Sequence, residues 1–191
     1  MSTIATAIDE SVDQTQYLSF IVADEQYAIS VLKVKEIIEY DTITQVPKTP
    51  RSIRGVINLR GSVVPVVDLA LKFGLPEIVV TKQTCVVIVE ADLAGQPTVM
   101  GVMVDAVSQV VEFQPKDIEE PPTFGTRVNV DYLLGMGKAG KKFVMILNID
   151  DVLSTEELEA AATLQSAGTE EEDAVTPSEN EAAPQEVHPA T

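Results

Sequence analysis

Of all segments in this 191-residue chain, Gly135-Met136-Gly137-Lys138-Ala139-Gly140-Lys141-Lys142 comes nearest to a motif that does chemistry. It meets the phosphate-cradling pattern G-x-x-x-x-G-K-[ST] at Gly135, Gly140 and Lys141. It fails at Lys142, where a hydroxyl should reach magnesium. That pattern also needs a helix to follow, whereas Phe143-Val144-Met145-Ile146-Leu147 reads as a buried strand. A Gly/Lys hairpin turn accounts for every residue. The other reactive types are sparse. The one histidine, His188, stands near the end of an acidic, aperiodic tail. The one cysteine, Cys85, opens the run Cys85-Val86-Val87-Ile88-Val89 and reads as a small buried core residue. That leaves no disulfide framework, no metal-ligand set and no nucleophilic triad. Asp150 and Asp151 are neighbours and point apart, so they read as caps of a helical turn. Asp68 and Asp105, each closing an apolar run, read the same way. The expectation is a protein that is not an enzyme and holds no cofactor or metal.

Arg60 stands apart from these. The strand-like runs Gly55–Leu59 and Val63–Val67 flank Arg60-Gly61, and Arg60 is the only charge between them. A hairpin that lifts one arginine to its tip presents a planar fork of donors, a group favoured at protein interfaces. The glycines Gly55 and Gly61 would let a partner backbone approach. The chemistry on offer is recognition of another protein.

The elements that position this arginine read as β. Tyr17–Val22 and Tyr27–Ile29 flank the polar turn Ala23-Asp24-Glu25-Gln26, and Ile43–Val46 is a short strand closed by Pro47. Cys85–Glu90 with Val99–Val104, and Leu133–Met136 with Phe143–Ile149, form further hairpins. Many short strands with Gly/Pro turns indicate small barrels or a sandwich. Asp68–Phe73 and Asp150–Leu153 each suit one helical turn. A shift of 73 residues lays Val34-x-x-Ile37-Ile38-Glu39-Tyr40 on Val107-x-x-Val110-Val111-Glu112-Phe113, and Ala28-Ile29 on Gly101-Val102. The repeat predicts two similar β units, each too small to be stable alone, that share a core and leave a groove between them.

Charge divides the chain. Net charge is −17, but Ser154–Thr191 carries ten acidic residues with no Lys or Arg, and the middle of the chain is nearly balanced. No basic patch offers a footprint for nucleic acid. The N-terminus lacks a signal peptide, and no apolar run reaches the ~20 residues that span a bilayer. A soluble, cytoplasmic protein without direct membrane insertion is expected. Residues 1–15 are read as disordered and 16–153 as the folded domain. Ser154-Thr155-Glu156-Glu157 is a capping box that starts a helix over 154–165, docked through Leu158 and Leu164. Residues 166–191 are read as a disordered acidic tail.

The residues Gln16-Tyr17-Leu18, Phe20, Tyr27-Ala28-Ile29, Val34-x-Glu36-Ile37, Val46-Pro47-x-x-Pro50, Gly55-Val56-Ile57-Asn58-Leu59-Arg60-Gly61, Pro65-Val66-Val67-Asp68-Leu69 and Gly101-Val102-x-Val104-Asp105-x-Val107 closely resemble the CheW family. These are the coupling proteins of bacterial chemotaxis arrays. The resemblance runs from Gln16 to Leu164. It implies an all-β fold of two intertwined SH3-like five-stranded β-barrels with a short C-terminal helix, and no enzymatic activity. It implies bridging between the cytoplasmic tip of chemoreceptors and the regulatory domain of the histidine kinase CheA, at membrane-associated arrays. Carried over, the receptor contacts fall on Val34, Glu36, Arg60, Gly61, Val107 and Val110, with Gly135 nearby. The kinase contacts fall on Tyr40, Arg54 and Val63 of one barrel and Phe124 of the other. A coupling role in a non-chemotaxis chemosensory pathway, for pilus motility or a second-messenger output, fits the same residues. The chain departs from its relatives at Glu119-Glu120-Pro121-Pro122, where basic character is common, and in the acidic tail beyond Leu164.

Overall fold

The computed structural model describes residues 15–41, 43–93, 95–123, 125–153 and 155–169. The predictions for residues 1–14, for Ser154 as a cap, for Phe124 and for the tail from 170 to 191 with His188 lie outside that set, as does the Leu158 side chain.

Eleven strands appear among the described residues: β1 (Gln16–Val22), β2 (Glu25–Ser30), β3 (Val34–Glu39), β4 (Ile53–Leu59), β5 (Ser62–Asp68), β6 (Cys85–Leu93), β7 (Gln96–Val104), β8 (Ala106–Glu112), β9 (Ile118–Glu119), β10 (Leu133–Ala139) and β11 (Lys142–Leu147). They form two sheets, β8-β1-β2-β11-β10-β9 and β3-β6-β7-β5-β4. Laid over one another by the repeat, β8, β1, β2, β11 and β10 correspond in order to β3, β6, β7, β5 and β4. Even the one parallel pairing recurs, β11 on β2 at Ile146↔Ala28 and β5 on β7 at Val66↔Gly101. Each sheet therefore takes two strands from one half of the chain and the rest from the other. The barrels are intertwined by exchange of a hairpin. One is five-stranded, and the other adds the two-residue β9.

The exchange places β1–β2 between two cores. Successive side chains on a strand face opposite ways. Tyr27 and Ile29 are fully buried in the larger cluster with Phe20, Ile88 and Met103, while Ala28 between them faces the smaller cluster of Phe113, Val144 and Ile146. The β1–β2 turn is a two-residue loop with both residues at positive φ, Ala23 at 50° and Asp24 at 68°, a twist that suits a hairpin. The Ala23 N–H donates to Oδ2 of Asp105 at 2.7 Å. The turn that Asp105 caps thus belongs to the other half of the repeat. Tyr27 keeps its hydroxyl protonated, because burial and the Glu25 carboxylate, which accepts that proton at 2.8 Å, both push its pKa up.

Both barrels close the same way. The segment after β3 touches the outer edge of β4 through the bridge Thr44↔Val56, and β9, after β8, pairs with β10 at Glu119↔Met136. The register slips at matching places, Ile53/Gly55 and Leu133/Gly135. A Cβ on Gly55 would lie 2.2 Å from the Thr44 carbonyl oxygen, and one on Gly135 would lie 2.9 Å from the Glu119 carbonyl oxygen. The backbone that approaches Gly55 is therefore the chain's own, a correction to its reading as a landing place for a partner. The predicted strand Ile43–Val46 is also corrected: only the Thr44 bridge forms.

Asp68 caps the predicted helical turn, observed as Leu69–Lys72, by accepting from the Leu71 N–H at 3.2 Å. The second turn, Ile149–Val152, is capped by Asn148, so Ile149 opens a helix and does not extend β11. Cys85 is half-buried at the core margin. The C-terminal helix runs over Thr155–Thr169, past Leu164 and into residues expected to be disordered. It is held at Glu157, 3% exposed, which accepts from Lys72 Nζ at 2.7 Å and from the Ser52 hydroxyl.

Gly55→Ala should lower the unfolding free energy by roughly 2–4 kcal/mol, since it forces a carbonyl clash at φ 148°. Gly61→Ala, with φ 88° and open space around it, should cost about 1 kcal/mol. Urea denaturation of both variants checks the ranking, and equal losses would contradict the closure.

Candidate functional site

Arg60 occupies the β4–β5 tip with φ 53°, and Gly61 follows at φ 88°; the pair forms a two-residue turn between Leu59 and Ser62. Asn58 Oδ1 accepts from the Gly61 N–H at 2.8 Å and fixes the turn. Arg60 is 80% exposed, and its Nη2 donates to Oε2 of Glu36 on β3 at 2.9 Å. The structure thus brings together two of the predicted receptor residues. β3 and β4 are opposite edges of their sheet, so this ion pair also marks how far the sheet has curled. Such an exposed pair is worth little and exchanges easily.

Val34 lies half-buried on β3, packed against the larger core, and Ile37 is 43% exposed on the same strand. In the other sheet Val107 packs half-buried against that core, while Val110 is 56% exposed. Both strands are sheet edges: β3 pairs with β6 and β8 pairs with β1. Each half of the repeat therefore offers an edge strand with an exposed aliphatic residue. Gly135 is buried beneath Ile118 and Glu119, so its part is to let β9 pack.

The predicted kinase residues Tyr40 and Arg54 line one groove of 790 Å³ together with Ile43, Arg51, Leu71 and Glu77. Arg54 sits at the base of the hairpin whose tip is Arg60. Its guanidinium is engaged internally: Nη1 donates to Asp68 Oδ2 at 3.4 Å and to Glu77, and Nη2 donates to the Ile78 carbonyl at 3.2 Å. Asp68 is wholly buried and also accepts from the Ile78 N–H at 3.0 Å. This network clamps Ile78 on both sides and holds Val79, 77% exposed, out from the surface. Val63 is half-buried on β5. Pro122 and Gly125, on either side of Phe124 in the sequence, line a second groove of 610 Å³ on the other barrel with Ile21, Met136, Phe143 and Met145.

Sequence reasoning missed Arg51, Glu77 and Phe143 as surface features. Phe143 lies in β11, as expected, but it was read as buried and is 47% exposed beside Lys138, whose ammonium lies 5.9 Å from the ring centre. The signal was present: it follows three lysines at a turn, where a strand has just emerged from solvent. Among the described residues no group of three or more His, Cys, Asp or Glu could hold a metal ion, and no helix is long and apolar enough to cross a membrane.

Two reciprocal β-barrels, with open edges, grooves and an exposed arginine as their distinctive surface, define a scaffold built to dock other proteins. The chain belongs to the CheW family, whose CheW-like domain matches residues 16–157. It is 35% identical over 158 residues to the chemotaxis protein CheW of Klebsiella aerogenes, across 83% of this chain and 92% of that one. It is 33% identical over 146 residues to the chemotaxis protein CheW of Helicobacter pylori, across 76% and 85%. The crystal structure of the scaffolding protein TtCheW from Thermoanaerobacter tengcongensis superposes with a TM-score of 0.67 at 31% identity, across 75% of this chain and 90% of that one. The chain is accordingly a chemotaxis scaffold of the adaptor type.

Asp68→Asn should cost roughly 3 kcal/mol of stability, because it leaves Arg54 beside a buried neutral group. Glu77→Gln, at an exposed partner of the same arginine, should change stability by about 0.5 kcal/mol or less. Chemical denaturation of the two variants decides, and matching midpoints would refute a structural role for the buried pair.

Proposed function

We propose that this chain couples the cytoplasmic tips of chemoreceptors to the regulatory domain of the histidine kinase CheA. The observation that carries the reading is the layout of one hairpin. Arg60 marks the tip of β4–β5 and Arg54 its base, six residues away, or about 20 Å along a strand. Two partners can therefore sit on one rigid element without competing. The receptor takes the Arg60 end with Glu36, Gly61 and Val34 of one barrel, and Val107 and Val110 on β8 of the other. Gly135 contributes through packing. The kinase takes the groove of Tyr40 and Arg54, with Val63 beside it and Phe124 serving the other barrel.

Individual contacts of this kind are weak. Exposed valines and one exchangeable ion pair suit reversible binding, and repetition in an array at the membrane would supply strength through avidity. The internal partners of Arg54 have a purpose in this reading: they hold its guanidinium still, so that docking loses little side-chain freedom.

Arg60→Glu should leave unfolding unchanged within about 0.5 kcal/mol, as expected for an exposed position. It should weaken binding of a receptor-tip fragment by about tenfold or more, the loss of one interface hot spot. Tyr40→Ala should spare receptor binding and weaken the kinase regulatory domain instead. Titration calorimetry of both variants against both partners is the test. A wild-type protein that is folded yet binds neither partner would end the proposal.

A further inference from the structure

The correspondence of β4–β5 with β10–β11 gives the second barrel a hairpin tip of its own. Both hairpins turn in two residues: Arg60-Gly61 between the paired Leu59 and Ser62, and Gly140-Lys141 between the paired Ala139 and Lys142. The charge around the two tips differs. Arg60 is met by Glu36, and the 73-residue shift lays Glu36 on Gln109, which is neutral. The second tip gathers Lys138, Lys141 and Lys142, three of the chain's 13 Lys and Arg residues, and all three are exposed. Lys138 meets Glu119 at 3.5 Å, while among the described residues Lys141 and Lys142 have no carboxylate partner. In a chain of net charge −17, these lysines are a local excess of positive charge.

An apolar surface adjoins them. Alternation puts Phe143, Met145 and Leu147 on one face of β11. Exposure on that face rises from 1% at Leu147, through half-buried Met145, to 47% at Phe143, so the face leaves the larger core as it nears the tip. Met136 stands opposite Met145 and Lys138 opposite Phe143, which extends the face onto β10. Phe143 and both methionines line the groove of 610 Å³, with Lys142 at the tip and Asp24 and Glu25 at the β1–β2 turn. Methionine adapts to the shape it meets, and an exposed ring offers apolar area at little cost in side-chain freedom. A broad anionic layer would meet Asp24, Glu25 and Glu119 together with the lysines. A short acidic segment can lie against the lysines alone.

We propose that the β10–β11 tip and the groove beside it are a docking surface for a short segment of a partner protein in which carboxylates flank an apolar side chain. Lys141 and Lys142 take the carboxylates, and Phe143, Met136 and Met145 take the apolar group. The near-match to a phosphate loop at Gly135–Lys142 then has a use: Gly140, at φ 63°, makes the turn, and the lysines recognise carboxylate. The surface is argued from this barrel alone and does not depend on the receptor and kinase assignments above.

The probe is a short synthetic peptide of Glu and Leu, titrated into the isotope-labelled full chain and followed through the amide shifts. At about 20 mM salt it should move the amides of Met136, Lys138, Lys141, Lys142 and Phe143 saturably, and at about 0.5 M salt, where the screening length is a few ångströms, the shifts should shrink. Lys141→Gln combined with Lys142→Gln should weaken binding about three- to tenfold, the loss of two exposed charges. Phe143→Ser should weaken it about tenfold, the loss of an interface anchor. Arg60→Gln should leave it unchanged, and a peptide of Gln and Leu should not bind. Retained amide dispersion in each variant shows that a loss reports contact and not unfolding. Equal binding of the two peptides, shifts centred on Arg60 and Gly61, or no shift at all overturns the proposal. Phosphatidylglycerol vesicles are the last arm: vesicles that move these amides when the peptide does not overturn it in favour of a lipid surface.

Discussion

Everything in this molecule depends on one hairpin that is buried on both faces. β1–β2 carries Tyr27 and Ile29 into one core and Ala28 into the other. A unit of about 70 residues cannot bury enough apolar surface to stand alone. The chain solves this by exchange, so that each half completes the barrel of the other. Because β1–β2 is the shared wall, neither barrel can open without exposing the second. The turn that Asp105 pins and the partly buried Tyr27–Glu25 hydrogen bond both serve this wall.

The exchange also settles where the surfaces for partners can be. With β1–β2 and β6–β7 donated across, β3 and β8 are left as edges, and closure falls to the short segments after them. Those segments press a carbonyl against Gly55 and Gly135. Edges and closure points are thus the same neighbourhoods in both barrels. Unpaired strand edges invite association, and here they sit close to exposed Ile37 and Val110 and to the Arg60–Glu36 pair. The buried Asp68, whose charge is balanced by Arg54 and whose lone pairs are filled by backbone N–H groups, steadies the opposite end of the same hairpin. Rigid presentation suits a family of scaffolds.

The legible part of this fold was local. Alternating apolar residues marked the hairpins, Arg60-Gly61 marked a turn, and the 73-residue repeat marked duplication. The exposed position of Arg60 could be read because a lone charge in an apolar run has nowhere to go but solvent. Arg54 was harder to judge, because its three acceptors come from Asp68, Glu77 and Ile78, residues separated from it by 14 to 24 positions. Phe143 misled because an apolar strand says nothing about which face lacks a neighbour.

By itself the sequence determined that the chain is β-rich and duplicated, and that it follows the CheW pattern. These are properties of composition, period and spacing, which survive without knowledge of distant contacts. Only the tertiary structure decided which half supplies which strand, and that Gly55 and Gly135 are equivalent closure points although the repeat shift does not align them. Each of these depends on which residues meet across long separations, and period-two patterning is the same whichever partner strand is chosen.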